Sequence, residues 1–394
     1  MKICAVICEY DPFHSGHEYL IKRVKAMGYD VVCIMSGSFT QRGTPAVISK
    51  YERAKAAVLC GANLVLELPF PYCSLGAASF AEAGVYIAEK LGCVSALAFG
   101  SENGNVEELK EYVNNITTEE FISCFENEGK DERFDKRVGD VYKKLFDKQP
   151  RIGSNDLLAT EYLKALKKLK SSILPIAIKR EGQDFNSKSG EGFSSATSIR
   201  KKLFCGDLEY VKQAVPAPSY EMIDKNVRDG AIAREERLFL PYTSVFRMKE
   251  AADLFGFAEI NEELASRIVC SAGSSTNYVD LIENTKTKMF SQSRIRRAML
   301  MAFTEVYVDK ISSPVYSVLL GADTAGRKIL SQITKNSDFT IITKPADNGF
   351  YGEKVKDAFK LLLRAEALWA LLLDNPRDSA VNMRLSPFIA EGEK

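Results

Sequence analysis

Five short apolar runs, each separated from the next by a stretch long enough for a helix, fill the first half of the chain. They are Ile3–Cys8, Val31–Met35, Leu64–Leu68, Ser95–Phe99 and Ile173–Ile178. A strand with one wet face alternates apolar and polar residues. These runs do not, which predicts strands buried on both faces. Helices are predicted at Ser15–Met27, where Leu20, Ile21 and Val24 share a face, and at Lys50–Leu59, Leu75–Leu91 and Asn155–Leu169. Strand and helix in alternation leave few options. The prediction is an open α/β domain, Rossmann-like, with a doubly wound parallel sheet covered by helices on both sides.

The segment between the fourth and fifth strands, roughly 106–147, mixes Glu and Lys and predicts solvated surface helices. Val215-Pro-Ala-Pro-Ser219 marks a connection. Beyond it helical periods dominate, from Glu235–Arg237 onward and at Leu254–Phe257, Glu262–Ile268, Tyr278–Thr285 and Ser291–Phe303. A chain of 394 residues exceeds one ordinary core. Two domains are expected, an α/β domain over 1–205 and a mostly helical one over 206–394.

Net charge is +1, so the whole molecule is no magnet for polyanions, and any nucleic acid must meet a local basic patch. The nine cysteines include no CxxC pair, and most sit among apolar neighbours. They predict buried, reduced thiols and a cytoplasmic protein, with no zinc site. The short apolar run after Met1-Lys2 does not suit a signal peptide. Leu361–Leu373 is too short for a membrane span and contains Arg364 and Glu366.

The chain has only two histidines, His14 and His17. They lie three apart in Glu9-Tyr10-Asp11-Pro12-Phe13-His14-Ser15-Gly16-His17, where the first strand hands over to the first helix. Open parallel sheets bind ligands at this edge, where strand order reverses. Gly16 lets a phosphate approach the backbone, and the helix start supplies free N–H groups and partial positive charge. Both imidazoles can donate to phosphate oxygens and stabilise charge on an α-phosphate during displacement. Neither G-x-G-x-x-G at this turn nor a P-loop is present, which excludes the commonest nucleotide motifs. A second cluster, Ser194-Ser-Ala-Thr-Ser-Ile-Arg200, follows the fifth strand. There Ser195 and Thr197 suit a helix cap, and Arg200 lies one turn inside it, a grouping fitted to β- and γ-phosphates.

Together these motifs resemble the H-x-G-H nucleotidyltransferase superfamily. The blocks Cys8–His17, Met35-Ser-Gly-Ser-Phe-Thr-Gln-Arg-Gly43, Leu66-Glu-Leu-Pro69, Phe99-Gly-Ser-Glu102, Ser154-Asn-Asp-Leu-Leu158 and Ile178-Lys-Arg-Glu181, in this order, resemble the bacterial tRNA(Met) cytidine acetate ligase family. The likeness continues more weakly at Lys286–Arg297 and Leu320–Arg327. Asp11, Ser15 and Ser38 stand where that family commonly has Asn.

The resemblance implies an ATP-dependent ligase that forms acetyl-adenylate from acetate and acetylates N4 of the wobble cytidine of elongator tRNA(Met). It implies catalytic roles for His14 and His17. Its ATP contacts would run along Ile7, Cys8, Glu9, Tyr10, Asp11, Pro12, Phe13, His14, Ser15, Gly16, His17, Glu18, Tyr19 and Leu20, with Gly100, Asn155 and Arg180. Mg²⁺ is expected with the triphosphate, without a protein metal site. Lys286, Lys288, Arg294, Arg296 and Arg297 form the densest basic cluster and are the candidates for tRNA phosphates. Gln41 and Arg42 could meet acetate or the target base. Two alternatives share the ATP motif: a small-molecule adenylyltransferase, and a non-catalytic, nucleotide-dependent RNA-binding factor.

Overall fold

The computed structural model describes residues 1–102, 104–128, 134–148, 154–180, 193–346 and 351–391. All five expected strands form: β1 (Ile3–Cys8), β2 (Asp30–Ser36), β3 (Leu64–Leu68), β4 (Ala96–Ser101) and β5 (Leu174–Lys179). They pair in parallel in the order β5-β4-β1-β2-β3. Every residue of β1 and β3 is buried, as consecutive apolar positions require, while the edge strand β5 is largely half-exposed. The chain runs outward from β1 through β2 and β3, then returns to β4 and β5 on the other side. Strand order therefore reverses between β1 and β4.

Helices α1 (Ser15–Ala26), α2 (Lys50–Leu59) and α3 (Ala77–Lys90) follow the first three strands. The charged segment folds as α4 (Val106–Ile116), α5 (Glu119–Asn127) and α6 (Phe134–Phe146), and α7 (Ser154–Lys168) leads into β5. Then come α8 (Ala196–Phe204), α9 (Leu208–Ala214), α10 (Ala217–Arg228), α11 (Phe239–Phe246), α12 (Glu262–Ser274), α13 (Tyr278–Thr285) and α14 (Gln292–Phe303). Glu235–Leu238 and Ala251–Leu254 are single 3₁₀ turns.

The second half is mostly helical, as expected, and it also adds strands to the sheet. β6 (Tyr316–Ala322) pairs antiparallel with β3, and β7 (Thr340–Ile342) and β8 (Phe388–Ile389) each pair parallel with β6. Among the described residues the sheet thus has eight strands. A single short apolar run such as β6 cannot be told from a buried helical turn by spacing, and β7 and β8 are too short to show a period. Two more helices, α15 (Thr324–Asn336) and α16 (Glu353–Leu371), complete this part.

The expected connection at 215–219 joins α9 to α10 and packs on the start of α1. Buried Ser219 donates to the Phe13 carbonyl at 2.6 Å, and Ser15 donates to the Ala214 carbonyl at 3.1 Å. The boundary at 205/206 is therefore crossed by contacts onto the first turn of α1. The Leu320–Arg327 block has a structural task far from the histidines: Asp323 caps α15 and accepts from the Asn63 amide at 2.8 Å, at the start of β3. All nine cysteines are free thiols. Among the described residues, no helix is long and apolar enough to cross a membrane.

Candidate active site

β1 delivers the chain to the carboxyl edge of the sheet, beside the point where strand order reverses. Tyr10 turns it in the left-handed region, at φ 51°. The Tyr10 ring packs edge-on against Phe13, and its hydroxyl lies 3.2 Å from the Cys33 sulfur. His14 then caps α1. Its Nδ1 accepts the Gly16 N–H at 3.1 Å, while Nδ1 of His17 accepts the His14 N–H at 3.2 Å. Such reciprocal caps ordinarily use Ser or Thr with Glu or Gln. Here both partners are imidazoles, stacked with centroids 3.7 Å apart.

The cap fixes the chemistry of the rings. A ring nitrogen that accepts a hydrogen bond carries no proton, so each ring holds its proton on Nε2. Burial, with the guanidinium groups of Arg180 and Arg200 nearby, pushes His14 down to about 3. Burial, His14 and Arg180 hold His17 well below its ordinary value. The turn thus offers two neutral N–H donors backed by two arginines. Gly16 is required beside them, because a Cβ there would come within 2.9 Å of His14 Cε1.

The arginines arrive from the β4–β5 side. Gly100 pairs with Ile178, and the Arg180 stem crosses it, 3.4 Å from where a Cβ would stand. Two distant sequence blocks meet at this edge. Ser101 donates to the Asp156 carboxylate at 2.6 Å, the Glu102 N–H donates to the same oxygen at 3.2 Å, and the Asp156 N–H donates to Glu102 at 3.1 Å. This clasp fixes the first turn of α7, and hence Asn155, at the end of β4.

Ser195 caps α8, accepting the Ser198 N–H at 3.1 Å. Arg200 donates to the Asp11 carbonyl at 2.6 Å, lies 3.5 Å from the Asp11 carboxylate, and donates to Thr197 at 3.2 Å. It ties α8 to the turn that precedes α1.

The remaining side chains of residues 7–20 build the turn itself. Ile7, Cys8, Pro12 and Phe13 are buried. Glu9 accepts the Gln41 N–H at 2.6 Å, and Asp11 accepts the Val47 N–H at 2.7 Å. Glu18 pairs with Lys22 at 2.8 Å, the Tyr19 ring lies 5.6 Å from that of Phe193, and Leu20 is half-buried. What the turn can give a ligand is its backbone and the two Nε2–H groups.

Sequence reasoning missed the polar groups that hold the loop after β2. Arg53 is fully buried and donates to the carbonyls of Ile48 at 3.2 Å, Ser36 at 3.1 Å, Glu9 and Gly37, which joins the ends of β1 and β2. Lys50 lies 2.8 Å from both oxygens of Glu67 and 2.9 Å from Glu366 of α16. Ser38 donates to both Glu366 oxygens at 2.9 Å, and Asn382 donates to Glu366 as well. Burial raises the Glu67 carboxyl, Lys50 pulls it down and the Glu366 charge raises it again, leaving it well above the usual carboxylate range. A Cβ on Gly37 would overlap the Glu67 carboxylate. One signal was available: Glu67 sits inside a fully apolar strand, and a charge there must have a partner.

The structure divides the basic cluster. Lys286 and Lys288 are exposed, with Lys286 3.3 Å from Glu283, and Arg294 stacks over Phe290 at 5.1 Å. Arg296 pairs with Glu235. Arg297 pairs with Glu259 at 3.0 Å, and Glu259 also accepts the Gly76 N–H at 2.7 Å. These two guanidiniums are paired with carboxylates of other elements and help hold the fold together. The cluster does adjoin the site: a Cβ on Gly43 would stand 2.7 Å from the Arg297 nitrogen, so the loop after β2 packs on the start of α14. Among the described residues, no three His, Cys, Asp or Glu side chains converge as a metal site.

The comparisons with known proteins agree with this geometry from end to end. The pattern of the HIGH Nucleotidyl Transferase family matches residues 1–383. A tRNA(Met) cytidine acetate ligase of Acetivibrio thermocellus is 34% identical over 402 residues, 95% of this chain and 96% of its own length. One of Fervidobacterium nodosum is 33% identical over 398 residues, covering 94% and 90%. The crystal structure of Thermotoga maritima TmcAL bound with alpha-thio ATP matches the whole of both chains with TM-score 0.91 at 27% identity. The likeness runs through the histidine turn, the β2 loop and the C-terminal helix that locks it, and on that span the chain belongs to the tRNA(Met) cytidine acetate ligase family of HIGH nucleotidyl transferases.

Proposed function

We propose that this chain is an ATP-dependent acetate ligase acting on elongator tRNA(Met) in the cytoplasm. One observation carries the reading. Two imidazoles, both fixed as neutral Nε2–H donors, stand with Arg180 and Arg200 where strand order reverses. Neutral donors suit the α-phosphate, whose charge changes during displacement, and the fixed cations suit the triphosphate.

An acetate oxygen attacks the α-phosphorus of ATP, and pyrophosphate leaves with the electrons of the broken P–O bond. Acetate is already ionised at neutral pH, so no general base is needed and the task is positioning. His14 and His17 donate to α-phosphate oxygens. Gly100 packs against the nucleoside, Asn155 and Arg180 hold ribose or phosphate, and Ser195, Thr197 and Arg200 cover the departing pyrophosphate. The cytidine N4 amine then attacks the acetyl carbon, AMP leaves, and the amine gives up a proton. Mg²⁺ would enter with the triphosphate and would neutralise phosphate charge there.

For the second substrate, Lys286, Lys288 and Arg294 are the phosphate contacts, next to the loop that walls the site. The nine free thiols suit a reducing compartment. The test is incubation with ATP, labelled acetate and tRNA. Acetate-dependent pyrophosphate release with label on tRNA is the expected result. Release only with a phosphorylated metabolite would establish the adenylyltransferase alternative instead. Unchanged tRNA acetylation in a His14→Ala, His17→Ala variant would refute the catalytic role.

A further inference from the structure

The loop after β2 is fixed at nearly every residue but one. Thr40 and Thr44 are joined by their hydroxyls at 2.7 Å and by a backbone bond at 2.9 Å, and the Gly43 N–H closes the turn onto the Thr40 carbonyl at 2.9 Å. Ala46 donates to Ser38 at 2.9 Å, and Phe39 bridges Pro45. Ser38, Phe39 and Thr40 are buried. Gln41 is tied at both ends: its N–H goes to Glu9 at 2.6 Å and its amide donates to the Leu75 carbonyl at 3.2 Å. Gly43, at φ 75°, packs on the backbone of α14. Arg42 alone is exposed, and among the described residues it makes no hydrogen bond or ion pair.

Its position is specific. The Gln41–Glu9 bond fixes the residue before Arg42 against Glu9, the first residue after β1, and the charges of Arg200 and Arg42 both act on the Glu9 carboxyl. The other cations of the site, Arg180 and Arg200, come from β5 and α8, on the β4 side of β1. Arg42 comes from the β2 side. In-line displacement needs nucleophile and leaving group on opposite sides of phosphorus. With pyrophosphate on the Arg200 side, the nucleophile enters from the β2 side.

We propose that Arg42 receives the carboxylate of the acetate substrate and orients it toward the α-phosphorus. This deepens the ligase reading and rests on it. A guanidinium has five N–H donors, so one edge can face Glu9 while the other holds a carboxylate in two parallel bonds. A rigid mount suits a nucleophile, whose orientation sets the rate. Backbone phosphates of RNA need no such mount.

The test measures ATP–pyrophosphate exchange against acetate and against ATP, with tRNA binding alongside, in Arg42→Ala and Arg42→Lys. Removal of a charge-assisted pair should raise the acetate KM in Arg42→Ala by about ten- to a hundredfold. The ATP KM and the tRNA Kd should stay within about twofold, Arg42→Lys should fall between, and added guanidinium ion should restore part of the loss. Because Arg42 is exposed, thermal unfolding should not change. An unchanged acetate KM overturns the proposal, and if tRNA binding weakens at the same time, Arg42 is an RNA contact. If the unsubstituted protein shows no acetate-dependent exchange, the ligase reading itself fails, whatever the variants do.

Discussion

Replacing Lys50 with Met tests whether the loop that walls the site depends on buried charge. Lys50, Glu67 and Glu366 are each 1% exposed or less, and the ammonium makes three contacts of 2.8–2.9 Å to the two carboxylates. Hydrogen bonds to charged groups each contribute about 1.5–3 kcal/mol, and the desolvation of the ammonium offsets several kcal/mol of that. Breaking a buried pair by removing one partner costs about 3–5 kcal/mol, because a buried charge is left uncompensated. The loss should depend on pH. Without the ammonium, the Glu67 carboxyl keeps its proton in the folded state at pH values where the unfolded chain releases it. The folded carboxyl then lies further above the unfolded value of 4.5. A raised carboxyl stabilises at low pH and loses that contribution as pH rises through its folded value. The deficit of Lys50→Met should therefore be largest near pH 8 and narrow near pH 5.5. Urea unfolding at the two pH values measures it, and Lys50→Met with Glu67→Gln should recover most of the loss. A deficit below about 1 kcal/mol at pH 8, or one indifferent to pH, would refute the idea that the ammonium holds two ionised carboxylates.

Gly16→Ala places a methyl 2.9 Å from His14 Cε1; it should lower kcat for adenylate formation by about tenfold or more through a displaced imidazole, with unfolding little changed, as single-turnover kinetics would show. Both histidines are held below their ordinary 6.5, so the unfolded chain takes up protons that the folded chain refuses. Stability should be full above pH 6.5 and fall toward pH 3, by about 1.4 kcal/mol per histidine per pH unit. In His14→Gln the slope between pH 6 and 4 should be shallower by one histidine's share, and a parallel line would contradict the depressed imidazole. Substituting Gln at Lys286, Lys288 and Arg294 should weaken tRNA binding and flatten its dependence on log salt by about 2–3, while ATP–pyrophosphate exchange is unaffected. Filter binding at several salt concentrations distinguishes this from loss of the site.

The parts legible in the sequence were those with a local signature. Apolar runs placed β1 to β5, and a lone histidine pair beside Gly16 marked the turn into α1 as the candidate site. The parts that were not legible depend on partners distant in the chain. β6 enters the sheet because β3 offers an edge, and no spacing within Tyr316–Ala322 records that edge. Arg296 and Arg297 looked like a phosphate patch because sequence shows charge and not pairing. Glu235 and Glu259, which neutralise them, lie on other elements. Asp11, read from the sequence only as part of the phosphate turn, also has a distant partner, since its carboxylate takes the Val47 N–H.

These distant pairings explain why the family likeness does not stop with the α/β half. The turn that carries the histidines is propped from beyond residue 205 by Ala214 and Ser219. The loop that carries Arg42 is held from below by Glu366 and Asn382, and from the side by the backbone of α14. Each prop is a polar group whose desolvation is tolerable only when its partner is in place. A helical part that served only to recruit RNA could drift relative to the site. One that supplies a buried carboxylate to the loop after β2 cannot, and the packing of Gly43 on α14 fixes the basic segment to that same loop.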